Sequence, residues 1–178
     1  MNKKCLWGLA LSLAVSGLMA AHLSAEEGAS HMFEHHIETR IDIQASANQV
    51  WDALLTFDAY PAWNPFILQI SGGPEVGRAL HVTVKPAGGS VMSFSPSVLQ
   101  AESGQALRWK GKFLMPGLFD GEHYFLIQPQ SSGGVTLVHG EMFSGVLVPF
   151  FKGQLDKGTK AGFEAMNQAL RERVMSIK

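Results

Sequence analysis

The chain has 178 residues, of which 46% are hydrophobic and 16% charged, with a formal net charge of −1. That is enough apolar material for one domain with its own core, and it excludes a disordered chain. The 14 Lys and Arg are scattered rather than gathered in a stripe, which excludes a nucleic-acid partner.

In chain order the first element is a leader. Lys3 and Lys4 precede an uncharged run from Leu6 to Ala21, and Ala25 stands before Glu26 and Glu27, where charge returns. A positive region, a short apolar run and small residues at its end are the layout of a secretory signal peptide. Residues 1–25 are therefore expected to be removed near Leu23-Ser24-Ala25, and the protein to be secreted or periplasmic. The alternative is an uncleaved N-terminal membrane anchor, for which the run is short against the roughly 20 residues of a span. Removal would take Lys3, Lys4 and the single cysteine, Cys5, and move the formal charge from −1 to −3. A mature chain without cysteine has neither disulfide nor thiol, which suits an oxidising compartment. Residues 26–33 read as a mobile lead-in and residues 34–178 as the domain.

From Glu34 to Ala45 the pattern alternates, with Ile37, Ile41 and Ile43 among Glu38, Arg40 and Asp42, as in a one-sided strand. Ser46-Ala47-Asn48-Gln49 is a capping box, and it predicts a helix to about Asp58 with Val50, Trp51, Leu54, Leu55 and Phe57 on one face. Pro61 opens a second short helix, and Pro65 ends it. The pattern then changes to short extended runs, at 67–71, 79–85, 91–99, 106–113, 122–129 and 134–144, split by glycine and proline. This is a meander of antiparallel hairpins. The last segment reads as one helix from about Val148 to Ile177, with Phe151, Leu155, Phe163, Met166, Leu170, Val174 and Ile177 at steps of three and four. Gly153, Gly158 and Gly162 weaken its first half, so either the backbone passes close to a neighbour there or the helix end is built to loosen.

This order predicts an α+β helix-grip fold. A curved antiparallel sheet of about seven strands wraps round the long C-terminal helix, the only large apolar element left to cover it, with two short helices after the first strand. Ile41-Asp42-Ile43-Gln44-Ala45-Ser46 leading to Val50-Trp51, followed by Phe57, Tyr60-Pro61 and Trp63-Asn64-Pro65-Phe66, resembles the opening of the SRPBCC superfamily of polyketide cyclase/dehydrase, lipid-transport and START proteins. Gly117-Leu118-Phe119-Asp120-Gly121-Glu122-His123 and His139-Gly140-Glu141 with Phe143-Ser144-Gly145 look like a bacterial branch of it. The resemblance covers about residues 35–175. It implies a hydrophobic ligand held between sheet and C-terminal helix, with the short helix of Trp63 and Asn64 closing one end of the cavity. It says little about function, because this fold hosts carriers, enzymes and partner proteins.

Strand parity selects the candidate residues. In 135–143 the bulkier face is Val135, Leu137, His139, Glu141 and Phe143. In 122–129 it is His123, Phe125 and Ile127, and in 106–113 it is Leu107, Trp109 and Phe113. Trp109, His123, His139 and Glu141 should therefore share one apolar interior with Phe163 and Met166 of the helix. His123 and Glu141 would satisfy each other there, orient a ligand in a greasy pocket, or act as an acid/base pair. The apolar connection Phe113-Leu114-Met115-Pro116-Gly117-Leu118-Phe119 would be a lid, a membrane contact or a partner site, since loops are normally polar. His31, Glu34, His35 and His36 do not make a metal site, because adjacent strand histidines face opposite ways.

The expected function is binding or carriage of a lipid-like or polycyclic molecule by a monomer without cofactor or metal, with transient membrane contact open to it. The alternatives are a cyclase/dehydratase-type enzyme using His123, His139 or Glu141 as acid or base, and a membrane- or partner-docking envelope protein. No nucleophile motif, phosphate loop or metal spacing supports catalysis.

Overall fold

The computed structural model describes residues 32–112 and 115–176. The leader, the lead-in through His31, Phe113 and the end of the last helix at Ile177 lie outside the described residues, and so do the expectations attached to them.

Strand β1 (Glu34–Ile43) buries Ile37, Thr39 and Ile43 on its inner face. Helix α1 (Ala47–Leu55) starts at Ser46. The Gln49 backbone N–H donates to the Ser46 hydroxyl at 3.3 Å, and the Gln49 side-chain oxygen accepts from the Ser46 N–H at 2.9 Å. That is the capping box read from the sequence. A single 3₁₀ turn (Phe57–Ala59) leads into α2 (Tyr60–Trp63), with Pro61 in its first turn. The Tyr60 hydroxyl donates back to the Leu54 carbonyl at 2.8 Å, tying the two short helices together.

Seven strands follow: β2 (Ile67–Ser71), β3 (His81–Val84), β4 (Met92–Phe94), β5 (Ser97–Glu102), β6 (Ala106–Lys112), β7 (Asp120–Pro129) and β8 (Val135–Ser144). Five strands pair in the order β1-β8-β7-β6-β5, and three in the order β2-β3-β4. The chain just before β3 joins the two sets. Gly77 N–H donates to Val98 O and Leu80 N–H to Pro96 O, both at 2.8 Å, while Val98 N–H donates to Arg78 O at 2.9 Å. The surface is thus one curved antiparallel sheet in which β4 and β5 act as a single bent strand. The sequence predicts an unbroken strand over 91–99. The ladder breaks at Ser95-Pro96 instead, because proline has no N–H to donate.

The C-terminal helix is also interrupted. Helix α3 (Val148–Gln154) passes through a π-turn (Leu155–Thr159) into α4 (Lys160–Ser176). The three glycines divide here. Ala87 N–H donates to Gly158 O at 3.1 Å, and a Cβ on Gly158 would stand 3.1 Å from Ala87 O. A Cβ on Gly162 would run into the Phe66 ring, whereas around Gly153 there is nothing within 4 Å. Close passage explains Gly158 and Gly162 but not Gly153. From α4, Phe163, Met166, Leu170 and Val174 sink into the concave face of the sheet.

On the convex face, at the parity opposite to His123 and Phe125, Tyr124 is nonetheless buried. Its ring crosses Gly140, where a side chain would collide with it. Its hydroxyl donates to Glu38 at 2.8 Å, and Arg108 lies 5.0 Å over the ring.

Four substitutions test this packing. Phe163→Ala and Met166→Ala should each lower the unfolding free energy by about 2–5 kcal/mol, the range for emptying a filled core site. Gly162→Ala should cost about 1–3 kcal/mol through overpacking, while Gly153→Ala should stabilise by about 0.5–1 kcal/mol through helix propensity. Urea midpoints that move the same way for both glycine variants would contradict the placement of the helix.

Candidate functional site

The register of three strands brings the candidate residues together. Trp109 on β6 lies opposite His123 on β7, which lies opposite Glu141 on β8, and one step along Leu107, Phe125 and His139 are aligned in the same way. Since all six share the inner parity, they form two neighbouring rows on the concave face. Trp109 stacks on His123 with ring centroids 4.7 Å apart and planes 3° from parallel. From the other side Phe163 of α4 stacks on His139 at 3.9 Å. Trp109, Phe125, Phe163 and Met166 are each at most 1% exposed, so the middle of the grip is filled by protein side chains.

A string of hydrogen bonds runs through this aromatic packing. Glu141 Oε2 lies 3.3 Å from His123 Nδ1, His123 Nε2 lies 3.0 Å from His139 Nε2, and His139 Nδ1 lies 2.8 Å from Asn167 Oδ1. The Asn167 amide donates to the Thr39 hydroxyl at 2.9 Å, and that hydroxyl donates to the His139 carbonyl at 3.1 Å. The string thus crosses from β7 and β8 to α4 and closes on β1. Asn167 and Thr39 escaped the sequence reading. Their signals were an amide within the buried stripe of Phe163, Met166 and Leu170, and a hydroxyl at the inner parity of β1 between Ile37 and Ile41.

The polarity of the string follows from its inner end. The Thr39 hydroxyl takes one amide hydrogen of Asn167, so Asn167 Oδ1 faces His139 and must accept from Nδ1–H. A neutral His139 then has a bare Nε2, which accepts from His123 Nε2–H. His123 in turn has a bare Nδ1, and Glu141 must be a carboxylic acid to donate to it. Burial acts in the same direction. Burial pushes Glu141 up to about 8 and His123 down to about 3. His139 is held well below its usual value, by burial first and then by the neighbouring His123. Near neutral pH all three groups are uncharged, the state that an apolar interior favours.

At one edge the string approaches solvent. Gly111 and Gly121 face each other across β6 and β7. The Phe94 ring lies over Gly111, 3.3 Å from where a Cβ would stand, and Glu141 Oε1 occupies the place a side chain on Gly121 would take. The Glu141 side chain is 15% exposed. Phe119 walls this rim, 5.5 Å from Phe143 and 5.6 Å from Phe151 of α3. The connection carrying Leu118 and Phe119 is pinned to the start of the C-terminal helix by Leu147 N–H donating to Leu118 O at 3.0 Å. Across the rim, the β3–β4 connection touches the π-turn through Ala87 and Gly158. Beside it Met115, Val146 and Phe150 stand exposed, Phe150 by 80%.

Trp63 and Asn64 do not join this group. Asn64 Oδ1 accepts from Phe66 N–H and Ile67 N–H at 2.9 and 2.8 Å, which turns the chain into β2. Trp63 packs on Tyr60 and under Arg173 near the C-terminal end of α4, where it lines an open hollow of about 440 Å³. His35 and His36 face opposite ways, the first to Asp156 at 2.8 Å and the second to the Tyr124 hydroxyl at 2.7 Å.

A family model described as polyketide cyclase / dehydrase and lipid transport matches residues 34–175. No curated protein matches the chain. Among solved structures it is similar to the di-domain aromatase/cyclase StfQ of the steffimycin biosynthetic pathway (TM-score 0.69, 11% identity, covering 84% of this chain and 53% of that one). It is similar also to the Zhui aromatase/cyclase from Streptomyces sp. R1128 (TM-score 0.65, 15% identity, 80% and 94% covered). A START superfamily protein from Mycobacterium smegmatis matches with TM-score 0.62 and 21% identity, 81% and 99% covered. The chain spans little more than half the length of the di-domain proteins, at 53% and 59%. At these identities the likeness shows the shared helix-grip fold.

The polarity of the string has a measurable consequence. Glu141 holds its proton more tightly folded than unfolded, so its contribution is full below its ordinary 4.5 and is lost as pH rises toward about 8. His123 does the reverse, its contribution being lost as pH falls from 6.5 toward about 3. Glu141→Gln keeps a donor for His123 but cannot ionise. Its unfolding free energy should gain on the wild type by up to about 1.4 kcal/mol per pH unit between these limits of Glu141. Urea titrations in which the difference between the two proteins stays constant from pH 4 to 9 would refute a neutral Glu141.

Proposed function

The chain belongs to the polyketide cyclase/dehydrase and lipid-transport family, and from that premise we propose that it binds and carries a hydrophobic small molecule at the concave rim over Glu141. One observation carries the reading: a polar string buried among aromatic rings ends in a carboxyl that reaches a rim walled by Phe94, Phe119 and Phe143. Apolar walls with a few placed polar groups are the usual composition of a small-molecule site. Burying five polar side chains is costly unless each is paired, and pairing them leaves one oxygen over for a ligand. The expected leader at residues 1–25 puts this activity in the cell envelope, and exposed Met115, Val146 and Phe150 beside the rim suit transient contact with a membrane from which an apolar ligand is taken.

A second reading rests on the same carboxyl. A carboxylic acid whose pKa lies near neutrality, backed by a neutral histidine, has the properties that proton transfer needs in a cyclase or dehydratase. Turnover of a bound polyketide that vanishes in Glu141→Gln would establish it over carriage alone.

Binding of N-phenyl-1-naphthylamine tests the first reading. Phe119→Ser removes an aromatic wall at a half-buried position and should weaken the probe about tenfold, given the value of an apolar contact of this size. Met142→Ser, on the exposed convex face, should leave affinity unchanged. Equal affinity in the wild type and in folded Phe119→Ser would rule out the rim as the site.

A further inference from the structure

The outer end of the string has a chemical polarity that selects among hydrophobic ligands. Glu141 Oε2 is engaged with His123, and Oε1 points the other way, over Gly121 toward the rim. No hydrogen bond to Oε1 is formed among the described residues. The proton that the string requires lies on Oε2, between Glu141 and His123. Were it to pass to His123, Oε1 would belong to a carboxylate. In both states the oxygen presented to the rim carries lone pairs and no hydrogen, so it accepts and cannot donate. Among the described residues the side chains placed around it are apolar: Phe94 covers Gly111, Phe119 packs on Phe143, and Gly121 brings no side chain at all.

We propose that the ligand of this rim is an uncharged hydrophobic molecule bearing a hydroxyl or N–H donor, such as a phenol or an alcohol, and that Glu141 Oε1 is the acceptor that selects it. A ketone or ester offers a second lone pair to Oε1 and gains nothing there. A carboxylate brings a like charge or must itself be desolvated. His123, His139 and Asn167 are positioning residues. They act through Glu141 by holding its proton on the inner oxygen, and they do not touch the ligand. Removing a donor from a ligand whose site was built to accept it leaves a buried acceptor unpaired, which is how polar sites discriminate between molecules of one shape.

This inference rests on the rim being the binding site, and matched naphthalenes separate the two claims. The full chain as purified is titrated by calorimetry with 2-naphthol, 2-acetylnaphthalene, 2-naphthoate and unsubstituted naphthalene. The wild type should bind 2-naphthol about tenfold more tightly than the ketone or naphthalene, with the carboxylate weakest. Glu141→Leu should bring naphthol and naphthalene to the same affinity while naphthalene itself still binds. Glu141→Gln, which donates to His123 and keeps an oxygen on the rim side, should restore the preference. A ketone bound more tightly than the naphthol, or a folded Glu141→Leu that keeps the preference, overturns the proposal. Equal binding of all four by the wild type overturns the selectivity and leaves the rim as a general apolar site. Binding of none of them overturns both.

Discussion

The hydrogen bond between His139 and Asn167 is the constraint on which the rest of the interior depends. It joins the middle of β8 to the middle of the helix that the sheet grips, at 2.8 Å and in full burial. An apolar helix face can slide or rotate against an apolar sheet at modest cost, since hydrophobic contact is not directional. A buried amide cannot, because an unpaired polar group loses about 1–3 kcal/mol of solvation that nothing returns. With Asn167 also tied to Thr39 on β1, the helix is referenced to two strands that are not neighbours of one another in sequence.

From that reference the protonation of the site follows. The fixed amide orientation decides the tautomer of His139, then of His123, and then the state of Glu141. Each ring is also clamped by an aromatic partner, Phe163 on His139 and Trp109 on His123. The clamps hold both imidazoles where their nitrogens meet, and they keep out the water that would let either one charge. A polar group buried this way gives the interior one geometry rather than many. It also carries the effect of the helix outward to a carboxyl 15% exposed at the rim.

The rim is shaped by missing side chains as much as by present ones. Gly121 leaves the space that Glu141 Oε1 fills, and Gly158 and Gly162 let the helix come within contact of Ala87 and Phe66. The π-turn falls in this same stretch. Such turns are frequent at functional sites. The loops on either side of Glu141 are both pinned to the C-terminal helix by backbone hydrogen bonds, so the opening and the string share one support.

The sequence by itself determined whatever depends on local periodicity. The order of elements, the capping box at Ser46, and the inward parity of Trp109, His123, His139, Glu141 and Phe143 all follow from side chains that alternate along a strand. The burial of Phe163 and Met166 follows in the same way from the 3.6-residue period of a helix. The tertiary structure alone decided where the helix lies along the sheet. That position comes from contacts at Ala87 and Phe66, far away in the chain, and it makes Asn167 meet His139 across 28 residues and Thr39 across 128. It also separated Trp63 and Asn64 from the polar string and put Phe94 over Gly111, which no strand parity could foretell, because parity fixes the face of a side chain and not its neighbour from another strand or helix.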